Sequence, residues 1–365
     1  MPRQTVKMAD ATTLNVSTIH EILPTEIFVD ILKRLDFKSI TNAKGACKEW
    51  KKIIENFKLV EEASMKVRCI IVAGGQAMGK SCEIIFGDFK NIQLPDLKYR
   101  FVGSSMALHD GEILLFGGRH LFGGYDENHK SRECYKLCKG FSSNFHSLLT
   151  DKDDVDDRFP SSAATTETAT FLFSGLVSGA YTYDYLPKGS TTWQKGRIPI
   201  PEGFSHANAI ATKSGQEILL IGGVCTERRI LSFNANDHSF LELSTKLNEG
   251  RIGHKCAFIP GANKIMITGG FRKSPEILNI EDGTITTGSP MNTRRYGHGI
   301  GLITINNEDR LAVFGGHSGK GFPVDSVEVY NNSTEKWEIT DIKLKNPNYN
   351  FAYLSVRLGD IIQKI

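Results

Sequence analysis

The sequence predicts a small all-α module followed by an all-β domain of six small sheets, closed by a strand near the carboxyl terminus. Three observations carry this prediction: a glycine-poor stretch with helical apolar spacing, a small-residue pair that recurs six times, and one apolar strand left over near the end. A repeating unit of about 50 residues is typical of small sheets arranged around an axis. Such an array displays loops, which favours a binding function.

Length and composition exclude several classes of protein. The chain has 365 residues, enough to bury more than one core. A net charge of +3 is too balanced for a protein that binds polyanions through bulk charge. No apolar run is long enough for a membrane span or a secretory signal. Seven cysteines without a repeating spacing predict reduced thiols and a cytoplasmic and/or nuclear location.

Residues 20–62 are predicted to form the helical module, and residues 1–19 are predicted to be a disordered tail. Ile27, Ile31 and Leu35 recur every fourth residue, which is the spacing of one helix face. The next helix is predicted to start at a cap formed by Ser39 and to continue to residue 54. A segment of roughly 40 residues rarely builds a sufficient core alone, so we expect its apolar faces to be completed by a partner or by the β domain.

Three short motifs in this module resemble an F-box. They are Leu23-Pro24-Thr25-Glu26-Ile27, Ile31-Leu32-Lys33-Arg34-Leu35 and Cys47-Lys48-Glu49-Trp50, in that order. The resemblance implies binding to a Skp-type adaptor and, through it, to a cullin-RING ligase. The interface residues that it implies, some of them internal to the module, are Leu23, Pro24, Ile27, Ile31, Leu32, Leu35, Ile40, Cys47 and Trp50. The module departs from the family at Gly45-Ala46, where a glycine costs a helix about 1 kcal/mol relative to alanine.

The repeated small-residue pairs each follow a short apolar strand, and successive pairs lie 43 to 57 residues apart. A Cβ atom at these positions would collide with the neighbouring sheet or disturb the turn, so the glycines are predicted to be structural. The pairs are Gly74-Gly75, Gly117-Gly118, Ser174-Gly175, Gly222-Gly223, Gly269-Gly270 and Gly315-Gly316.

The third and fourth strands of each unit are predicted from apolar residues seven positions apart. The spacing occurs at Phe233 and Phe240, Leu278 and Ile285, Tyr330 and Trp337, and Cys138 and Phe145, and it stretches from Tyr183 to Trp193 in the third unit. This order resembles the kelch repeat over residues 66–360. The resemblance implies a six-bladed β-propeller, from which the third unit departs most because serine replaces its first glycine.

Closure of the ring is predicted from a strand that lacks a partner. The unit that begins at Val67 has no first strand before it, and the apolar segment 349–357 has no glycine pair after it. We therefore predict that this segment supplies the innermost strand of the first blade, which removes an open sheet edge.

In a propeller, the loops before the first strand and after the second strand of each blade share one face. The substrate-binding residues predicted on that face are Arg100, Arg119, His120, Tyr125, Arg158, Arg251, Arg272, Arg295 and His317. Several arginines at one mouth would favour an acidic or phosphorylated peptide. The alternative is that the arginines pair internally with carbonyl groups or acids.

Motifs of catalysis and cofactor binding do not stand out. The sequence contains no Walker loop, dinucleotide fingerprint or HExxH motif. His254 and His298 could form a metal pair, but their equivalent positions favour a packing role in the repeat. Copper-dependent oxidases and sialidases resemble the predicted β domain in architecture only. The basic residues of the amino-terminal helices are interpreted as solvated helix faces rather than as a nucleic-acid site. We expect no enzyme activity, cofactor, metal, nucleic acid or membrane partner.

The two resemblances together imply the substrate-recognition subunit of an SCF-type cullin-RING ubiquitin ligase, with an unknown target protein on the kelch face. The alternative is a kelch interaction scaffold without ubiquitin ligation.

Overall fold

The structure is a computed structural model. It describes residues 25–97, 100–120, 134–137, 145–147, 161–173, 182–199, 206–224, 226–319 and 322–361. The predicted disordered tail, residues 1–19, lies outside the described residues. The chain divides into two compact units, one formed by residues 1–67 with 357–362 and the other by residues 68–356 with 363–365.

The first unit is helical. Its helices are α1 (Thr25–Lys33), α2 (Phe37–Lys44), α3 (Lys48–Asn56), α4 (Leu59–Ser64) and, from the end of the chain, α5 (Leu358–Ile361).

Helix α2 begins and ends earlier than predicted. Asp36, not Ser39, caps it: the Asp36 carboxylate accepts a 2.7 Å hydrogen bond from the Ser39 N–H. The helical spacing that continues to residue 54 is interrupted at Gly45, whose N–H donates to the carbonyl of Asn42 over 3.0 Å and closes the helix. Cys47 has an extended backbone and precedes α3, so one predicted helix is two.

The helical unit contains a core of its own. Its buried side chains are Val29, Leu32, Ile40, Ala43, Ile54, Leu59 and Ala63. The carboxyl-terminal helix α5 packs against α4, and both Leu358 and Ile361 are buried. The Leu358 N–H donates to the carbonyl of Val67 over 2.7 Å. The sequence had assigned no helix to this end of the chain.

The second unit consists of antiparallel sheets. In five four-stranded sheets, the side chains of every strand are described. The strands of the first sheet are hydrogen-bonded in the order β26-β1-β2-β3. The strands of this first sheet are β26 (Ala352–Arg357), β1 (Arg68–Ala73), β2 (Cys82–Ile85) and β3 (Ile92–Gln93). The predicted pairing of the carboxyl-terminal strand with the first sheet is confirmed.

The other four of these sheets follow chain order from the inner strand to the outer one. Their strands are β10 (Ser162–Thr165), β11 (Ala169–Phe173), β12 (Thr182–Pro187) and β13 (Gln194–Arg197); β14 (Asn208–Ala211), β15 (Glu217–Ile221), β16 (Ile230–Asn234) and β17 (Phe240–Glu242); β18 (His254–Phe258), β19 (Lys264–Gly269), β20 (Glu276–Asn279) and β21 (Ile285–Thr287); β22 (Gly299–Ile305), β23 (Glu308–Phe314), β24 (Ser326–Asn331) and β25 (Lys336–Lys343).

A further set of strands pairs in the order β5-β6-β8-β9, and most side chains of its outer two strands lie outside the description. Its strands are β5 (Ser105–His109), β6 (Glu112–Phe116), β8 (Cys134–Leu137) and β9 (Phe145–Ser147). A separate pair joins β4 (Phe101–Val102) to β7 (Arg119–His120).

The buried cores of the second unit lie between successive sheets. The Phe173 ring in β11 lies 5.2 Å from the Phe233 ring in β16 of the next sheet. The Phe314 ring in β23 lies 5.7 Å from the Phe351 ring just before β26. Because each sheet buries apolar side chains against its neighbours, the unit has a β-propeller-like arrangement.

The glycine pairs have the physical cause that the sequence predicted. Gly222, Gly269 and Gly315 all have positive φ angles, of 61°, 77° and 61°. A Cβ atom on Gly222 would lie 2.7 Å from the imidazole of His254 in the next sheet, and one on Gly269 would meet His298 in the same way. Both histidines therefore pack against a glycine of the preceding sheet, which confirms their predicted repeat role.

The predicted spacing of the third and fourth strands is confirmed in three sheets. Phe233 lies opposite Phe240, Leu278 opposite Ile285, and Tyr330 opposite Trp337. The prediction for the third unit was wrong. Tyr183 lies opposite Gly196 rather than Trp193, because β12 does not end at Tyr183 but continues to Pro187. Cys138 and residues 174–175 lie outside the described residues.

Candidate functional site

Two of the predicted binding arginines are internal. The Arg251 guanidinium Nε lies 2.9 Å from Oε1 of Glu276, and the Arg295 Nη2 lies 2.8 Å from Oε1 of Glu328. Arg251 is 2% exposed and Arg295 is 0% exposed. Each also donates to the carbonyl of the first glycine of its own sheet's pair, Gly269 or Gly315. These residues hold the turn together, so the internal alternative applies to them and we remove both from the binding face.

The same arrangement recurs without arginine in the first sheet. Asn348 stands where the arginine would be and donates to the carbonyl of Gly74 over 2.6 Å. Glu83 stands where the glutamate would be and accepts from the Lys345 N–H over 3.1 Å. Within the described residues Glu83 forms no ion pair, and burial raises the pKa of its carboxyl group.

Four aromatic rings lie along neighbouring loops of the second unit, and we call Phe271, Tyr296, His317 and Tyr349 the aromatic edge. The Phe271 ring stacks on Tyr296 with 4.8 Å between centres, and the His317 ring lies 5.2 Å from Tyr349. Tyr296 and His317 exchange two main-chain hydrogen bonds of 3.1 and 2.9 Å, which fix the two pairs beside each other.

An open cleft of about 840 Å³ adjoins the aromatic edge. Lys273 and Arg294 line it, together with Phe271 and the polar side chains of Asn292 and Thr293. Lys273 and Arg294 are both exposed and form no ion pair with a described residue. Phe322, which is 77% exposed, directly precedes Pro323, and Pro323 pairs with His317. Exposed aromatic rings beside unpaired cations suit a partner with apolar and acidic groups.

The other described members of the predicted face are exposed or half-buried. Arg272 is exposed and its Nε lies 3.1 Å from the Glu249 carboxylate. Arg100 is exposed and lines a second cleft of about 440 Å³ with Lys80, Met78 and Asp96. His317 is half-buried, and its Nδ1 accepts from the Gly319 N–H over 3.0 Å. The side chains of Arg119 and His120, and all of Tyr125 and Arg158, lie outside the described residues.

Sequence reasoning chose the wrong member of the Arg294–Arg295 pair and missed Lys273, Phe271 and Phe322. A signal was present: Arg295 and Arg251 both stand two residues before a glycine that precedes histidine. Both are also followed, after the glycine pair, by a Ser-x-Glu triplet that supplies the buried carboxylate. That repeated pattern marks the internal arginine, which leaves Arg294 as the exposed one.

The predicted adaptor residues divide between core and surface. Leu32 and Ile40 are buried in the core of the helical unit. We therefore withdraw them as predicted contact residues and interpret them as residues that support the surface from inside. Ile31 is 44% exposed, while Leu35, Cys47 and Trp50 are half-buried. Leu23 and Pro24 lie outside the described residues, as does the side chain of Ile27. Ile31 is therefore the most open apolar position among the described members.

Within the part of the chain that the structure describes, no group of three or more side chains is arranged to hold a metal ion. None of the helices described there combines the length and apolar character needed to cross a bilayer. Four cysteines whose side chains are described, Cys47, Cys69, Cys82 and Cys256, are free thiols.

Comparison with known protein families identifies the first part of the chain. No curated protein sequence matches the chain at a significant level. The F-box-like family model matches residues 20–62. The chain therefore carries an F-box-like domain followed by a β-propeller-like arrangement.

Proposed function

We propose that this chain is the substrate-recognition subunit of an SCF-type cullin-RING ubiquitin ligase. The observation that carries the proposal is the order of its two parts: an F-box-like domain at residues 20–62 precedes a propeller-like domain with exposed aromatic and cationic loops. F-box domains bind Skp-type adaptors, and propeller loops bind other proteins. The chain would work in the cytoplasm and/or nucleus.

The mechanism requires no bond chemistry in this chain. The adaptor connects the helical unit to the cullin, and the loops of the second unit hold a target protein. A target lysine is then kept at high effective concentration beside the ubiquitin thioester carried by another subunit.

We also propose that residues 66–360 form a kelch-type propeller of six blades, with β5-β6-β8-β9 as the second. Support comes from its strand order, which repeats that of the five fully described sheets. Further support comes from Phe116 of β6, whose ring lies 5.5 Å from Trp193 just before β13 of the next sheet.

The proposed adaptor surface is centred on Ile31 and includes the half-buried Leu35, Cys47 and Trp50, with Leu23, Pro24 and Ile27 added from the sequence resemblance. Leu32 and Ile40 support it from below. Burying a few such side chains contributes about 1.5–3 kcal/mol each, so a small set suffices for a stable complex.

Binding of a purified Skp-type adaptor to the full chain tests this proposal. Ile31→Asp should weaken adaptor binding at least tenfold without unfolding the protein, because the side chain is already partly in water. Ile92→Asp is the matched control: Ile92 in β3 is 41% exposed but belongs to the other unit. Wild-type protein that binds no adaptor would favour the scaffold alternative.

For the target, we propose a protein segment that combines acidic and apolar side chains and binds at the aromatic edge and its cleft. The variant Lys273→Glu/Arg294→Glu should lose the ubiquitinated proteins that proximity labelling recovers with wild type under proteasome inhibition. Lys264→Glu, a charge reversal at an exposed lysine of β19, should keep them. Equal loss in both variants would point to general charge effects and contradict this site.

A further inference from the structure

The innermost strands of the second unit surround a cavity of about 170 Å³. Each of β5, β10, β14, β18, β22 and β26 contributes lining residues. A water molecule needs roughly 10–15 Å³ by this measure, so the space could hold several waters or one small polyatomic ion.

One cation lies at this cavity. Lys255 in β18 lines it, and its ammonium group lies 5.6 Å from the ring centre of Tyr353, another lining residue. Among the described residues the ammonium has no carboxylate within ion-pair distance and no hydrogen-bond acceptor. The lining residues include no aspartate or glutamate.

The lining also offers hydrogen-bond donors. The Ser162 hydroxyl oxygen accepts from the Ala209 N–H over 2.8 Å and from the Asn208 side chain over 3.3 Å, so its own proton remains to be donated. The Ser161 hydroxyl has one proton and two acceptors in reach, the Gly103 carbonyl at 3.1 Å and the Ser105 oxygen at 3.0 Å. When Ser161 donates to Ser105, the Ser105 proton is free to be donated to a bound anion. Proteins bind anions with ammonium groups and hydroxyl donors. This cavity offers one ammonium and two hydroxyl groups, with no carboxylate among its lining residues.

We propose that the central cavity binds a small oxyanion of phosphate or sulfate size, with Lys255 as its cation and Ser105 and Ser162 as hydroxyl donors. The bound anion supplies a counter-charge to Lys255 that none of the described residues provides. Burial lowers the pKa of Lys255 to about 8, which leaves most of the side chain protonated at neutral pH and able to bind an anion. This site is separate from the loop face and does not depend on the proposed ligase role.

Titration calorimetry of the full chain with inorganic phosphate, at neutral pH and constant ionic strength, tests the proposal. Wild type should bind one phosphate per chain, and Lys255→Met should bind at least tenfold more weakly. Lys264→Met, a change at an exposed lysine in the same sheet, should bind as wild type does. Undiminished binding by Lys255→Met, or no saturable binding by wild type at millimolar phosphate, would overturn the proposal.

A second measurement needs no variant and so does not depend on the folding of Lys255→Met. Wild-type protein is acetylated briefly with acetic anhydride, with phosphate or with chloride at equal ionic strength, and each lysine is quantified by mass spectrometry. Phosphate should lower the acetylation of Lys255 at least threefold and leave that of Lys264 unchanged. Equal acetylation of Lys255 in both salts would overturn the proposal.

Discussion

The main-chain N–H of Asn350 donates to the carbonyl oxygen of Gly297 over 2.7 Å. The same bond repeats around the second unit: Gly297 donates to Gly253 over 3.0 Å, Gly103 to Asn350 over 2.7 Å, and Ser161 to Gly103 over 2.9 Å. These residues precede the inner strands of five successive sheets. Asn350, which lies near the end of the chain, therefore takes the same place in this series of hydrogen bonds as Gly297 and Gly103 do in their own sheets.

Deletion of residues 349–365 should abolish cooperative unfolding of the second unit. It removes β26, the inner strand of the first sheet, together with the Asn350 bonds to Gly297 and Gly103. An open sheet edge and an uncovered core against Phe314 would remain. Thermal unfolding followed by circular dichroism measures the effect.

Deletion of residues 362–365 is the control for this truncation, because it leaves β26 and α5 in place. We expect it to keep the wild-type transition. A long truncation that melts at the wild-type temperature with the same sharpness would contradict the closing role of β26.

Gly297→Ala should destabilise the protein by more than the backbone effect alone. Its φ of +59° costs a residue with a Cβ about 1–2 kcal/mol, and the new Cβ would also overlap the Asn350 side chain. Gly261→Ala isolates the backbone part, since Gly261 has a φ of +73° with no atom within 4 Å of its Cβ position. Urea unfolding of both variants measures the difference, and equal losses would show that the Asn350 contact adds nothing.

Removal of one partner from a buried ion pair should be far more costly than removal from a surface pair. Arg295→Met leaves the Glu328 carboxylate buried without its cation, so we expect a loss of about 3–5 kcal/mol. Arg272→Met opens an exposed pair with Glu249 and should cost about 0–1 kcal/mol. Denaturant unfolding measures both, and similar losses would contradict the structural role of Arg295.

Glu83 should make the protein less stable as pH rises. Because burial raises its pKa above the ordinary 4.5, the native state binds more protons than the unfolded state between these two values. The free energy of unfolding therefore falls as pH rises through that interval. Glu83→Gln lacks this decline, so its stability relative to wild type should increase from about pH 4 to pH 7.

Glu242 provides the opposite case as a control. Its hydrogen bond and charge contact with Arg229 lower the pKa of this exposed carboxyl group. The stabilisation that this contact gives is present above the pKa of Glu242 in the unfolded state. It is lost as the pH falls through the lower pKa of the folded state. Glu242→Gln should therefore lose stability relative to wild type as pH rises. Parallel profiles for the two variants would contradict the assigned environments.

The periodic features of the fold were the predictable ones. Gly222, Gly269 and Gly315, at the ends of β15, β19 and β23, were placed correctly. Each position requires a positive φ and no Cβ atom, and both requirements act on the residue itself. The unpaired strand at the end of the chain was matched to the first sheet by counting strands. Tyr183 and Trp193 were paired wrongly because the prediction ended the third strand at Tyr183, whereas β12 continues to Pro187.

The surfaces were less predictable. Arg294 and Arg295 are the same residue type in adjacent positions, and only the buried Glu328 decides which of them is internal. Leu32 and Ile31 are adjacent on α1, yet one lies in the core and the other is largely open to solvent. Spacing alone places both on the apolar side, whereas the packing of α2 and α4 determines which is covered.

The amino-acid sequence alone determined the two-part organisation and the repeated β units. Periodic apolar spacing and glycine pairs fix the local backbone conformation within a few residues along the chain. Tertiary structure decided which charges are exposed, where Lys255 lies and which unit the last helix joins. Those outcomes depend on side chains separated by tens to hundreds of residues, and only the folded chain brings them within contact distance.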